Sequence, residues 1–120
     1  LTRIRVGIYL SETGPKLGRG KIALLKAIRE HGSISAAARS MSMSYRHAWR
    51  LLDELNGAFD EPVIRSMVGG AQRGGAHLTD WGEELIERFE EMERLATRAV
   101  DDHLERLDAR RAPRPPGEDA

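Results

Sequence analysis

The sequence predicts a mainly α-helical fold with a small β-sheet, and three observations carry that prediction. Apolar residues recur at helical spacing in four stretches. Short alternating stretches flank them. A Gly-rich stretch, Gly69 to Gly75, sits between two of the alternating segments. At 120 residues the chain is expected to form one unit that buries its own core. There is no cysteine, so disulfides, thiolate metal sites and cysteine chemistry are excluded.

Each element follows from its residues. In residues 3–10, Ile4, Val6, Ile8 and Leu10 alternate with Arg3, Arg5 and Tyr9, which predicts a half-buried strand. From about 18 to 31, Ile22, Leu24, Leu25 and Ile28 mark a helix that ends at His31-Gly32. A second, short helix over 35–41 opens with Ser33 or Ser35 as N-cap and carries Ala36, Ala37 and Ala38, small enough for close helix approach. After a break at Met41 to Met43, Ser44 caps a third helix to about 59, with Ala48, Leu52, Leu55 and Phe59 inward and Trp49 and Leu51 beside them. Residues 62–78 then read as a hairpin, with which strand 3–10 is expected to pair. Thr79 caps a long helix over 80–108, about 40 Å at 1.5 Å per residue. Residues 109–120 read as a disordered tail.

Three helices with a tight break between the second and third, followed by a hairpin, form a winged helix-turn-helix pattern. Residues 1–79 would be that unit. A helix longer than the unit needs points to pairing with its twin. Leu85, Phe89, Met92, Ala96 and Ala99, at 4-3-4-3 spacing, are the expected dimerisation seam.

Charge supports a polyanion partner. The chain balances 19 basic against 19 acidic residues, but residues 1–50 hold ten basic and two acidic groups, and residues 51–120 hold nine and seventeen. The second helix of a helix-turn-helix lies in the DNA major groove and reads bases from its N-terminal turns. Tyr45, Arg46, His47 and Arg50 stand there, and an Arg fork suits guanine. Asp53 and Glu54 follow and would repel phosphate. Ser33 and Ser44 cap helices and are also placed to approach phosphate. Arg39, Lys16, Arg19 and Lys21 add general attraction, and Arg73 lies in the Gly-rich tip. The bland alternatives are a solvated helix face and a merely flexible hairpin loop.

No catalytic constellation assembles, so no enzyme is expected. The four histidines, His31, His47, His77 and His103, lack metal-ligand spacing, so neither a metal nor a cofactor is expected. Glu84–Arg88 and Glu90–Arg94 are expected to pair along the long helix. No apolar run approaches the ~18 residues of a membrane span, and the N-terminus lacks a signal-peptide core. A cytoplasmic location without membrane contact is expected.

Three stretches in combination carry a family likeness: Gly32-Ser33-Ile34-Ser35-Ala36-Ala37-Ala38 through Met43-Ser44-Tyr45-Arg46-His47-Ala48-Trp49 to Asp53-Glu54-Leu55-Asn56; Gly69-Gly70 with Gly74-Gly75-Ala76; and Leu78-Thr79-Asp80-Trp81-Gly82. This combination resembles the N-terminal domain of the ModE-type molybdate-responsive transcriptional regulators and, more distantly, LysR-type regulators. The likeness covers roughly residues 3–100. It implies a homodimer on double-stranded DNA, with a pseudo-palindromic site, and base contacts from Ser44, Tyr45 and Arg46, with Trp49 in the core. Arg73 replaces the first of three glycines usual in that family's wing. The oxyanion-binding domains of full ModE-type regulators are not in this sequence, so molybdate binding is not expected in this chain. A protein-docking module without DNA binding is the rival from another class, and an oxyanion site built on the wing glycines is a third possibility.

Overall fold

The computed structural model describes residues 2–66 and 75–113. In chain order it contains β1 (Ile8–Tyr9), β2 (Lys16–Leu17), α1 (Arg19–His31), α2 (Ile34–Ser40), α3 (Tyr45–Ala58), β3 (Ile64–Ser66), β4 (Ala76–Leu78), α4 (Asp80–Ala99) and α5 (Asp101–Ala109).

Helix boundaries are set by side-chain caps. Ser33 Oγ accepts from the Ala36 N–H at 3.0 Å, so Ser33 rather than Ser35 starts α2. Ser44 Oγ accepts from the His47 N–H at 3.0 Å and starts α3. Thr79 Oγ1 accepts from the Gly82 N–H at 3.0 Å and starts α4. Each cap satisfies a backbone donor that the first turn leaves open. At the other end of α1, Gly32 takes φ 75°, and its N–H donates to the Ile28 carbonyl. That left-handed turn suits a residue without Cβ. Ser42, at φ 53°, reverses the chain between α2 and α3.

The core joins every element except α5. Leu24, Leu25 and Ile28 of α1, Ala37 of α2, and Ala48, Leu52 and Leu55 of α3 are completely buried, with Val63 beneath the wing. Each large aliphatic side chain so buried contributes about 1.5–3 kcal/mol. Ala37 and Ala38 let α2 lie close against its neighbours.

One residue of the wing, Val63, locks the unit together. Its N–H donates to Asn56 Oδ1 of α3 at 2.7 Å, and its carbonyl accepts from the Thr79 N–H at 3.0 Å. Thr79 Oγ1 donates to the Pro62 carbonyl at 2.7 Å. A Cβ on Gly82 would overlap the Val63 carbonyl oxygen, which is why α4 has glycine at its closest approach to the wing. The Ala76 N–H donates to the Gly32 carbonyl at 2.9 Å and ties β4 to the end of α1.

Several expectations are corrected. The ladder of strand 3–10 shrinks to β1, which pairs antiparallel with β2 in the register Ile8↔Leu17 and Tyr9↔Lys16. It does not join the wing, whose strands β3 and β4 form a separate sheet in the register Arg65↔His77. The turn from Ser11 to Pro15 folds the chain straight back, so the nearest free backbone is Lys16–Leu17. The alternation still marks a face: Val6, Ile8 and Leu10 pack on the core, while Ile4 stays exposed.

The long helix over 80–108 is broken at Val100 (φ −109°, ψ 11°) into α4 and α5. A β-branched residue followed by Asp101-Asp102, which favour a first turn, accounts for the break. The ladder nevertheless continues across it, from the Val100 N–H to Ala96 and from the Leu104 N–H to Val100. Leu85 and Phe89, expected in a seam between copies, are 3% and 1% exposed inside the protomer. They face the helical core and have no surface to offer a twin. Glu84–Arg88 forms at 3.4 Å, but Glu90 pairs with Lys26 and Arg94 with Glu91 instead, because α1 brings a cation closer to Glu90. The expected disordered tail begins inside α5, which runs to Ala109, and residues 114–120 lie outside the described residues.

Candidate nucleic-acid interface

The first two turns of α3 form an exposed polar face. Ser44 fixes where the helix begins. Arg46 and Arg50, one turn apart, both point away from the core. Tyr45 is 53% exposed and packs edge-on against Trp49, with ring centroids 6.3 Å apart. Trp49 is half-buried against the core, which matches its expected packing role. Arg50 Nη2 lies 2.7 Å from His47 Nδ1. An Arg donates and never accepts, so His47 receives that bond through an unprotonated Nδ1. The imidazole thereby braces the guanidinium beside the exposed face.

The structure divides the cations of residues 1–50 into two groups. Along α1, Lys26 pairs with Glu90 at 2.6 Å and Arg29 with Glu83 at 2.7 Å, while Arg19 approaches Glu93 at 3.8 Å. Lys21 is nearly buried, and its Nζ donates to the Lys16 carbonyl at 2.7 Å and pairs with Glu54 at 3.0 Å. Lys21 is thus used internally, which corrects its expected role toward phosphate, while the Arg19 side chain stays 53% exposed and lines the groove between the N-terminal segment and α3. By contrast, among the described residues Arg3, Arg5, Lys16, Arg39, Arg46 and Arg50 form no ion pair with a carboxylate. Glu54, expected to repel phosphate, is neutralised by Lys21, and Asp53 remains exposed one turn beyond Arg50.

An open groove of about 450 Å³ runs between the N-terminal segment and α3, lined by Arg5, Val6, Lys16, Met43, His47 and Leu51 among others. In the sequence, Arg3 and Arg5 enter as the polar side of the alternating segment and in the charge balance, with no binding role drawn from them. Their place on the polar side of an alternating segment is the signal that they face solvent. Asn56 and Gly82 figure there only within a likeness, and both prove to be positioning residues around Val63. Ser33 is half-buried as the α2 cap, Arg39 is exposed near the α2 C-terminus, and Arg73 lies outside the described residues. No helix among the described residues is long and apolar enough to cross a membrane.

A helix-turn-helix with its second helix exposed at the N-terminal end, followed by a β-hairpin and a long helix, defines a winged helix-turn-helix protein. Residues 20–83 match the model of the bacterial regulatory helix-turn-helix proteins of the lysR family, and the chain belongs to that family of regulators rather than to an enzyme class. It is similar to the molybdenum-pterin-binding protein MopB of Rhodobacter capsulatus, 43% identical over 83 residues, which is 69% of this chain and 31% of that protein. It is also similar to the DNA-binding transcriptional dual regulator ModE of Escherichia coli, 35% identical over 81 residues, 68% of this chain and 31% of that protein. The chain thus spans about a third of the length of the curated relatives it matches. Among solved structures, the DNA-binding domain of CbnR in its DNA complex shares the fold. Its TM-score is 0.58 at 22% identity, covering 78% of this chain and all of that one.

Proposed function

We propose that this chain is the DNA-binding unit of a bacterial transcriptional regulator, and that it binds a pseudo-palindromic duplex site as a homodimer in the cytoplasm. The observation that carries this reading is the exposed start of α3, where Arg46 and Arg50 stand free of carboxylates on a helix whose start is fixed by Ser44. Residues 1–79 would form the reading unit. Its two copies would place their α3 helices in successive major grooves, about 34–36 Å apart.

Arg46 and Arg50 would donate to base edges or phosphates, with Tyr45 and His47 beside them. Ser33 and Ser44 accept through their oxygens as caps, which leaves each hydroxyl proton free to donate to a phosphate. Arg39 and Arg73 would add backbone contacts. Dimerisation is supported by the apolar side chains that the helices beyond the core leave exposed: Met92 at 39%, Leu95 at 50% and Leu107 at 58%. Ala96 and Ala99 lie between the first two and the break at Val100. The molybdenum in the relatives' names belongs to much longer proteins, and this reading involves none.

The test is fluorescence anisotropy with genomic fragments and a random duplex at two salt concentrations, for the wild type and Arg46→Ala/Arg50→Ala. The expected result is steep salt dependence, preference for some fragments, and a loss of about 1–3 kcal/mol of specific binding for each base-reading Arg. A wild type that ignores both DNAs at low salt would turn the reading toward a protein-docking module.

A further inference from the structure

We infer that the N-terminal segment is a second phosphate-binding element, which acts through Arg3, Arg5 and Lys16 and extends the DNA footprint beyond the helix-turn-helix and the wing. This rests on the DNA-binding reading above and adds a contact surface to it.

The first support is the segregation of charge. Of the α1 cations that face α4, Lys26 pairs with Glu90 and Arg29 with Glu83, Arg19 approaches Glu93 more loosely at 3.8 Å, and the nearly buried Lys21 is paired with Glu54. Arg3, Arg5 and Lys16 are exposed and have no such partner among the described residues. A cation already paired has little to gain from phosphate. An unpaired one releases counterions when it meets DNA.

The second support is position. Arg5 and Lys16 line the same groove as His47, so they flank the DNA-facing helix on its α1 side. Duplex DNA seated on α3 carries its backbone past that flank, where a sequence-independent contact is the chemistry that Arg and Lys offer.

The third support is that the segment is held in place. Val6, Ile8 and Leu10 pack on the core, β1 pairs with β2, and the Thr2 N–H donates to Asp108 at 3.0 Å. A Cβ on Gly7 would come within 2.7 Å of Lys16 Cε, so the Lys16 stem lies across the bare glycine beside the groove. The order of the segment is therefore established before DNA arrives, which lowers the entropic cost of using it. The match to the family model begins at residue 20, so these three cations lie outside the part that defines the family. The one acidic residue in the segment, Glu12, sits in the turn between β1 and β2 and pairs with none of them.

The experiment compares salt-dependent affinity for a specific and a random duplex among four proteins: wild type, Arg3→Ala/Arg5→Ala/Lys16→Ala, Arg46→Ala/Arg50→Ala, and Lys26→Ala/Arg29→Ala as a control that removes paired charge. Thermal melting verifies that the triple variant folds. The expected result is a triple variant bound about tenfold or more weakly at low salt, its salt slope reduced by about one for each phosphate no longer neutralised, with random and specific duplex affected alike. The control should keep the wild-type slope. If the triple variant keeps affinity and slope while Arg46→Ala/Arg50→Ala loses binding, the inference falls and the DNA-binding reading stands. If the control lowers the slope as much as the triple variant, bulk charge is responsible and the inference falls. If the wild type binds no duplex, both fall together.

Discussion

The two ends of α4 carry the same kind of apolar spacing and do different things with it. Leu85, Ile86 and Phe89 are at most 3% exposed, whereas Met92 and Leu95 are 39% and 50% exposed. The reason is the length of what lies opposite. α1 has 13 residues, about 20 Å, and α4 has 20, about 30 Å. They run antiparallel, with Arg29 at Glu83, Lys26 at Glu90 and Arg19 at Glu93. Arg19 is the first residue of α1 and reaches Glu93, so Met92 stands at the edge of the α1 contact and Leu95 beyond it, with nothing from α1 to cover it. Charge is divided by face: Glu83, Glu90 and Glu93 turn to α1, while Glu84–Arg88 and Glu91–Arg94 pair within α4, with Arg94 holding the Glu91 carboxyl below the usual carboxylate range by a direct hydrogen bond. An amphipathic period shows that a helix face will be covered. The length of the opposing element decides whether its own chain does the covering.

The largest expected effect comes from breaking the covered half. Phe89→Ala removes a side chain 1% exposed at the centre of that face. It should cost about 3–5 kcal/mol in denaturant unfolding. A loss under about 1 kcal/mol would mean that α4 is not packed on α1 in solution.

The uncovered half should respond in the opposite way. Met92→Ser/Leu95→Ser leaves the intrachain core untouched, so monomer stability should change by no more than about 0.5 kcal/mol per site. Self-association, followed by light scattering across a concentration series, should weaken at least about tenfold, which is 1.4 kcal/mol. Unchanged mass at every concentration would remove this stripe from the dimer proposal and leave the DNA-reading face unaffected.

The contrast also explains which parts of the molecule were legible in the sequence. Caps were legible because their chemistry is local: Ser33, Ser44, Thr79 and Gly32 all stand at element ends. The core stripe of α3 was legible because Ala48, Leu52 and Leu55 repeat at helical spacing. The partner of β1 was not, since an alternating segment specifies a buried side and says nothing of which edge it pairs with. The seam was misread at Leu85 and Phe89 because spacing cannot tell an intrachain neighbour from a second copy. On the candidate site, Arg46 and Arg50 were legible as an exposed basic face. The internal use of Lys21 was not, because Glu54, its partner, lies 33 positions away.

Smaller effects test the charge pairs that dock the covered half. The partners in Lys26–Glu90 and Arg29–Glu83 are each near half exposed, so solvent screens them. Glu83→Gln and Glu90→Gln should each cost about 0.2–1 kcal/mol at low salt, and less as salt rises. DNA affinity should not fall, because neutralising a carboxylate frees a cation. Weaker DNA binding in these variants would show that the paired and unpaired cations do not act separately.

The smallest effect lies where the far end of the helical arm meets the N-terminal segment. The Thr2 N–H donates to Asp108, and this bond, with Arg111 nearby, lowers the Asp108 carboxyl below the usual carboxylate range. The bond favours the ionised form, so its contribution is present above the ordinary Asp range and is lost as pH falls through the lowered value. In acid the segment should therefore loosen from α5 while the core around Phe89 stays folded. NMR provides the check: the Thr2 amide signal should move with the Asp108 titration, at a midpoint below that of an ordinary aspartate. In Asp108→Asn, which keeps an acceptor but cannot titrate, the pH-dependent movement should disappear. A Thr2 signal that ignores the Asp108 titration would mean that the segment is held by its apolar face and the β1–β2 pairing alone.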